Sequence, residues 1–191
     1  MCLGGVNARV GGGAWVGGNA WVSGDARLGD ASAVSDNAWV GGNARISDNA
    51  RISDNARVGD NAWVSDNARV GDNARVGGDA RVNGATLISD NAWVGGNARV
   101  GGNARVSSKN DICVFSGFGS EGGTITAYTT VDGISVNTGC FSGSLEEFRE
   151  DATKKHGDNV HGNICNLLIQ VIELRWSEPR GEINAKQYIQ P

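Results

Sequence analysis

An aliphatic residue recurs at every sixth position along most of the chain. These positions run from Val10 to Ile112 without an insertion, which gives 18 aliphatic positions and 17 six-residue repeats. A small residue, as in Ala14, stands four positions after nearly every one of them. One β-branched and one small apolar residue per repeat suit a narrow β-coil whose side chains stack from coil to coil. The Arg or Trp between them must point outward, because side chains alternate along a strand.

The other positions of the repeat are polar residues or glycine and predict turns. Pairs such as Asp36-Asn37 tolerate left-handed backbone, and the aspartate can cap its own turn. So much glycine, asparagine and β-branched residue excludes a helix. A fixed period of six is typical of a parallel β-helix. The pattern therefore predicts a mainly β fold with a solenoid over residues 1–112.

The repeat consensus, V/I–S/G–D/G–N–A–R/W over residues 5–112, resembles the hexapeptide-repeat family. That resemblance implies a left-handed parallel β-helix of about six coils, with three repeats in each triangular coil. Many members are acyltransferases with a histidine base and a loop that interrupts the prism. This repeat has neither, since His156 and His161 lie beyond it. Metal-dependent carbonic anhydrases of the family need three histidine ligands. We therefore expect no enzyme, no catalytic residue, no metal and no cofactor.

Outward residues 18 positions apart are expected to stack in rows, one on each side of the coil. Arginine and tryptophan dominate these rows, and both are frequent in interface hot spots and stack on each other. One row, which would continue to Asp111, is the expected seam between copies, and a second row offers a further arginine pair for a ligand or interface. The alternative is that the rows only cover the sheets with amphipathic surface. The predicted interface or ligand residues are Trp21, Trp39, Arg57, Arg75, Trp93, Arg51 and Arg69.

Composition and charge exclude several classes of protein. The chain contains 30 Gly but only 2 Pro among 191 residues, and no apolar run long enough for a membrane helix. Its net charge of −4 argues against nucleic-acid binding. The four cysteines lack a C-x-x-C pair, which argues against a zinc knuckle or disulfide framework. Without a recognisable signal peptide, a cytoplasmic protein is expected. The stacked corner aspartates are attributed to turn capping with arginine neighbours rather than to a calcium ladder.

Residues 113–191 depart from the repeat and predict a small α+β domain that caps the open coil. Strands are predicted over 112–118, 124–130 and 134–137, and a capping box, Ser144 to Glu147, opens a first helix that ends near 156–157. A second helix is predicted over 164–176, with Leu168, Val171 and Ile172 in helical register, ended by Pro179. Cys140 is expected to be buried at a strand end.

Residues 139–148, followed by 156–159, resemble a small module common in uncharacterised phage and prophage proteins. Together with the repeat, this resemblance implies a phage- or prophage-encoded protein in the cytoplasm of a bacterial host. The predicted function is that of a non-catalytic, self-associating binding module. The expected partners are further copies, as a trimer or end to end through the N-terminal coil. The alternatives are a protein that sequesters a small anion or nucleotide between copies and, with least support, an acyltransferase.

Overall fold

The computed structural model describes residues 2–3, 7–118 and 123–177, and its first part is a run of two-residue strands. From Arg9 onward, each strand combines an outward residue, most often Arg or Trp, with an inward aliphatic residue. The strands are β1 (Cys2–Leu3), β2 (Arg9–Val10), β3 (Trp15–Val16), β4 (Trp21–Val22), β5 (Arg27–Leu28), β6 (Ala33–Val34), β7 (Trp39–Val40), β8 (Arg45–Ile46), β9 (Arg51–Ile52), β10 (Arg57–Val58), β11 (Trp63–Val64), β12 (Arg69–Val70), β13 (Arg75–Val76), β14 (Arg81–Val82), β15 (Leu87–Ile88), β16 (Trp93–Val94), β17 (Arg99–Val100) and β18 (Arg105–Val106).

Each of these strands pairs in parallel with the third strand along, so that three six-stranded sheets form the sides of a solenoid. We name them sheet A (β1-β4-β7-β10-β13-β16), sheet B (β2-β5-β8-β11-β14-β17) and sheet C (β3-β6-β9-β12-β15-β18). Partner residues lie 18 positions apart, as in Arg57 and Arg75, except at β1, where Cys2 pairs with Trp21. The parallel β-helix predicted from the six-residue period is confirmed.

The interior of the solenoid holds one column of aliphatic residues and one column of small residues for each sheet. Val58 and Ala62 are both 0% exposed, and Ala44 and Ala80 occupy the same place one coil before and after Ala62. The space beside each sheet corner therefore takes only a small side chain, which is alanine in most repeats and Ser32 or Thr86 in two of them. This explains why small residues recur there in the sequence.

Aspartates at the corners take left-handed backbone and bond to the next coil. Eight of them have φ between 52° and 59°, a region that aspartate tolerates better than most residues. The Asp54 carboxylate accepts a hydrogen bond from the backbone N–H of Asp72 at 3.2 Å, and Asp60 accepts one from Gly78 at 2.8 Å. Asparagine side chains form a second ladder, as from Asn43 to Asn61. The corner aspartates thus cap the following coil as well as shaping their own turn.

After the solenoid, four antiparallel strands form a sheet that two helices cover. The strands are β19 (Ile112–Phe118), β20 (Gly123–Thr130), β21 (Gly133–Thr138) and β22 (Phe141–Ser144), and the helices are α1 (Leu145–His156) and α2 (Val160–Ser177). The capping box is present, and hydrogen bonds from Ser144 hold the pKa of Glu147 below its usual range. Helix α2 begins earlier than predicted because Asn159 Oδ1 accepts the N–H groups of His161 and Gly162. The strand β22 was not predicted.

Three side chains lie elsewhere than the sequence predicted. Asp111 is buried rather than outward, and its carboxylate accepts hydrogen bonds from Ser107 and Ser108. Cys140 is exposed, because β22 follows at once and places it in the turn between two strands. Val171 is 47% exposed, so it does not share the buried side of α2 with Leu168. Pro179, predicted to end α2, lies outside the described residues.

The strand β20 lies across the C-terminal end of the solenoid and satisfies main-chain groups there. The Arg99 N–H donates to Thr126 Oγ1 at 3.1 Å, and the Gly101 N–H donates to the Tyr128 hydroxyl at 3.3 Å. Thr129 Oγ1 donates to the Arg105 carbonyl. Tyr128 packs in the same apolar cluster as the solenoid interior. A coil end that would otherwise present open backbone groups is therefore covered from one side.

Candidate functional site

The outward row of sheet A brings the predicted seam residues together. We call this row, Trp21, Trp39, Arg57, Arg75 and Trp93, the tryptophan face. Each member is the direct register partner of the next. The indoles are 46%, 38% and 66% exposed for Trp21, Trp39 and Trp93. The face therefore presents three large aromatic side chains and two guanidinium groups side by side on a regular surface.

The indoles of Trp15, Trp39 and Trp93 lie against the backbone of the glycine two residues further on. A Cβ built on Gly41 would come within 2.3 Å of the Trp39 ring, and one built on Gly59 in the next coil within 3.0 Å. Trp15 lies over Gly17 in the same way. Because Gly41 has no side chain, the Trp39 ring can pack against the backbone there. A ring fixed in this way loses little freedom when a partner covers it.

The arginines of the tryptophan face have no carboxylate partner within the described part of the chain. All three ion pairs found there lie on the helices: Arg149 with Glu146, Arg149 with Glu173, and Lys155 with Asp151. The cation–π contacts of the described part of the chain also involve other arginines. Arg81 Cζ lies 5.9 Å from the ring centroid of Trp63 on sheet B, and Arg175 contacts Trp176. Arg57 and Arg75 therefore keep their donors available for another molecule.

Sheet C carries a shallow groove that contains the other two predicted residues. Arg51 and Arg69 are neighbours in this sheet. The groove measures about 580 Å³ and runs from Trp15 past Ala33 to Leu87, with Asp54 and Asp72 on its wall. It exists because Ala33 is much smaller than its neighbours in the row, and so leaves space between Trp15 and Arg51. The sequence already contained this small residue in the row, but its effect on the surface shape was not anticipated.

Neither a metal site nor a membrane span is found in residues 2–3, 7–118 and 123–177. No group of three or more His, Cys, Asp and Glu side chains there is arranged to hold a metal ion. No helix in that part is both long and apolar enough to cross a membrane. The His156 and His161 rings lie 5.9 Å apart beside the turn that joins the helices.

Three segments of the solenoid are similar to the YdcK beta solenoid repeat. The matched residues are 44–60, 50–66 and 74–90, which lie in the regular middle of the coil. No curated protein and no solved structure matches the chain. The similarity agrees with the parallel β-solenoid architecture and carries no statement about a ligand or a reaction.

Proposed function

We propose that this protein is a non-catalytic, self-associating β-solenoid in which the tryptophan face of one copy packs against sheet B of the next. The observation that carries the proposal is the tryptophan face itself, with its exposed indoles and unpaired arginines. Contiguous exposed aromatic surface on a soluble domain marks interaction sites, and Trp and Arg supply most hot spots. The resemblances in the sequence support a phage- or prophage-encoded protein of the hexapeptide-repeat type in the cytoplasm of a bacterial host.

The outward rows of sheets A and B are complementary when two copies stand side by side and parallel. Residues six positions apart belong to the same coil, so each sheet A residue has a sheet B residue at nearly the same height. At three consecutive levels a tryptophan then meets an arginine, which favours cation–π stacking. The pairs are Trp21 with Arg27, Trp39 with Arg45, and Arg57 with Trp63. Only at the fourth level does an arginine, Arg75, face another, Arg81.

A contact between two different faces cannot close in a dimer. The second copy still has a free tryptophan face, so further copies are added until a closed ring forms. Three copies are the smallest such ring, and we propose this ring, the trimer expected from the sequence, as the assembly. Sheet C does not take part in these contacts and stays accessible on the outside of the ring.

Exchange of the residues at one level tests this arrangement. Trp39→Arg places a guanidinium opposite Arg45 of the next copy, and we expect it to weaken assembly at least tenfold, because like charges meet and an aromatic contact is lost. The double variant Trp39→Arg/Arg45→Trp restores the pairing and is expected to restore assembly. Trp15→Arg on sheet C is the matched control and leaves the mass unchanged. Sedimentation equilibrium gives the mass of the unmodified protein and of the three variants. Protein concentrations of about 10⁻⁶–10⁻⁴ M cover the dissociation constants of a typical weak interface.

Two results would count against the proposal. Full assembly of Trp39→Arg would show that the tryptophan face is not an interface. Loss of assembly that the double variant fails to restore would show that sheet A meets a surface other than sheet B at this height.

The groove on sheet C supports a second candidate function, the binding of a small anion or nucleotide. Arg51 and Arg69 offer adjacent guanidinium groups, and Trp15 offers a ring on which a base could stack. We expect ATP or pyrophosphate to bind the assembled protein, and Arg51→Gln/Arg69→Gln to weaken that binding at least tenfold. Arg9→Gln on sheet B is the control. Isothermal titration calorimetry measures both variants, and binding that is equal in the two, or absent in the unmodified protein, would rule out this site.

A further inference from the structure

Helix α2 carries apolar side chains on two sides, and only one of them is covered. Leu168, Ile169 and Ile172 are buried against the sheet and α1. On the other side four large apolar residues face outward. Their exposed fractions are 70% for Val160, 61% for Leu167, 47% for Val171 and 69% for Leu174. These exposed residues lie apart from the polar side of the helix, which Asn166, Gln170 and Glu173 form, so a single copy leaves part of the apolar surface of α2 uncovered.

The exposed residues follow the spacing of a helix–helix seam. With the half-buried Ile164 they occupy positions 160, 164, 167, 171 and 174, in alternating steps of four and three. This is the 3.5-residue period that keeps one stripe of a helix in contact with a partner helix along its length. Scattered surface leucines, in contrast, would show no such period.

We infer that this stripe packs against α2 of a second copy as a parallel two-stranded coiled coil. The choice of partner rests on the side chains within the stripe. Ile164 and Val171 are β-branched and occupy one position of the heptad, while Leu167 and Leu174 occupy the other, which Val160 begins at the first turn of the helix. β-Branched residues at the first position with leucine at the second favour two parallel strands over three or four. The helix thus recognises its own copy.

No charge beside the stripe opposes this pairing. The flanking positions on one side are Asn163 and Gln170, which are neutral. On the other side the Arg175 guanidinium is turned toward the solenoid, where it donates to the carbonyl oxygens of Lys109 and Ile112 at 2.9 and 3.3 Å. Two copies can therefore approach along the stripe without bringing like charges together.

The shortness of α2 does not prevent the pairing. Its 18 residues span only about 27 Å, and an isolated helix of this length is marginal in water. In this protein, however, the buried side of α2 already packs on β-strands and α1, so that the helix is formed before the partner arrives. Association then needs no further ordering of the backbone.

The pairing is separable from the contact proposed for the tryptophan face. In full-length Trp39→Arg, where the ring is broken, sedimentation equilibrium should still give the mass of a dimer. Combining Trp39→Arg with Leu167→Glu/Leu174→Glu should reduce the measured mass to that of a monomer, because self-association becomes at least tenfold weaker. Thr153→Glu/Lys154→Glu on the exposed side of α1 is the control and should leave the dimer intact. Both leucines are exposed, so an unchanged thermal melt verifies that the fold is retained.

Cross-linking tests the parallel arrangement. Among the cysteines whose side chains the structure describes, Cys140 is the exposed one. In a Cys140→Ser background, Val171→Cys should form an intermolecular disulfide on mild oxidation, because equivalent seam positions meet in a parallel pair. Asn166→Cys, on the same helix but off the stripe, should cross-link at less than one tenth of that extent. A monomer in Trp39→Arg alone, a trimeric mass, or equal cross-linking at both positions would overturn the inference. A trimeric mass in Trp39→Arg would also count against the contact of the tryptophan face, whereas a monomer or equal cross-linking would overturn only the pairing of α2.

Discussion

Replacement of Ala62 by leucine is expected to lower the free energy of unfolding by about 3 kcal/mol. Ala62 is fully buried and lies in a column with Ala44 and Ala80, so three added carbon atoms have no space to enter. The coils above and below would have to separate, and each separation disturbs strand pairing. Thermal unfolding followed by circular dichroism should show a midpoint lower by about 6–12 °C.

The control for this variant makes the same substitution on the outside of the coil. Ala33→Leu on sheet C adds the same atoms at the floor of the groove, where Ala33 is only half-buried. We expect its midpoint to lie within about 2 °C of the unmodified protein. An equal loss in both variants would mean that the small residues do not mark the tightest part of the core.

Replacement of Tyr128 by alanine should separate the end of the solenoid from the sheet that covers it. Tyr128 is 2% exposed, and its ring closes the apolar column of the last coil. Loss of a buried aromatic side chain costs about 4 kcal/mol. The exposed backbone of β17 and β18 would then be open to pairing with other chains. We expect faster hydrogen exchange in residues 99–106. We also expect increased light scattering at 37 °C, which is about 8–28 °C below typical domain midpoints.

Tyr128→Phe separates the packing of the ring from the role of its hydroxyl. This variant keeps the ring and loses only the hydrogen bonds of the hydroxyl, from the Gly101 N–H and with the Asn137 side chain. It should therefore cost about 1 kcal/mol without aggregation. Burial also raises the pKa of Tyr128. The folded state therefore favours the neutral phenol, and its stability should fall as the pH rises through the unfolded value near ~10. Tyr128→Phe should remove this alkaline loss, and aggregation equal to that of Tyr128→Ala would contradict the assignment.

The sequence predicts the solenoid well because its six-residue period equals the number of residues on one side of the coil. Each side of the coil has six residues, two of them in a strand, and this determines which side chains point inward. A coil of 18 residues then determines which side chains are neighbours. For this reason Trp21, Trp39, Arg57, Arg75 and Trp93 all lie in the one predicted row. Any shift of register other than by a whole six-residue repeat would turn buried aliphatic residues outward.

The C-terminal domain is predicted less completely because its helix pattern is ambiguous. Leu167 and Leu168 are adjacent, and each belongs to an apolar stripe of α2. Spacing within one helix cannot tell which stripe faces the sheet, so Val171 was assigned to the wrong side. The recurrence of leucine at 167 and 174 was the available signal. Cys140 was misplaced for a similar reason, since the short strand β22 has no alternating pattern of its own.

The coil of 18 residues also limits how the length of this protein can change. Tandem duplication of the coding sequence for one whole coil would add about 4.8 Å to the solenoid and leave every row, corner bond and register partner in place. Duplication of a single six-residue repeat would be equally acceptable to the core, but it would carry everything downstream onto the neighbouring side. The C-terminal domain would then project in a different direction relative to the tryptophan face. Natural variants of this chain are therefore expected to differ in length by whole coils.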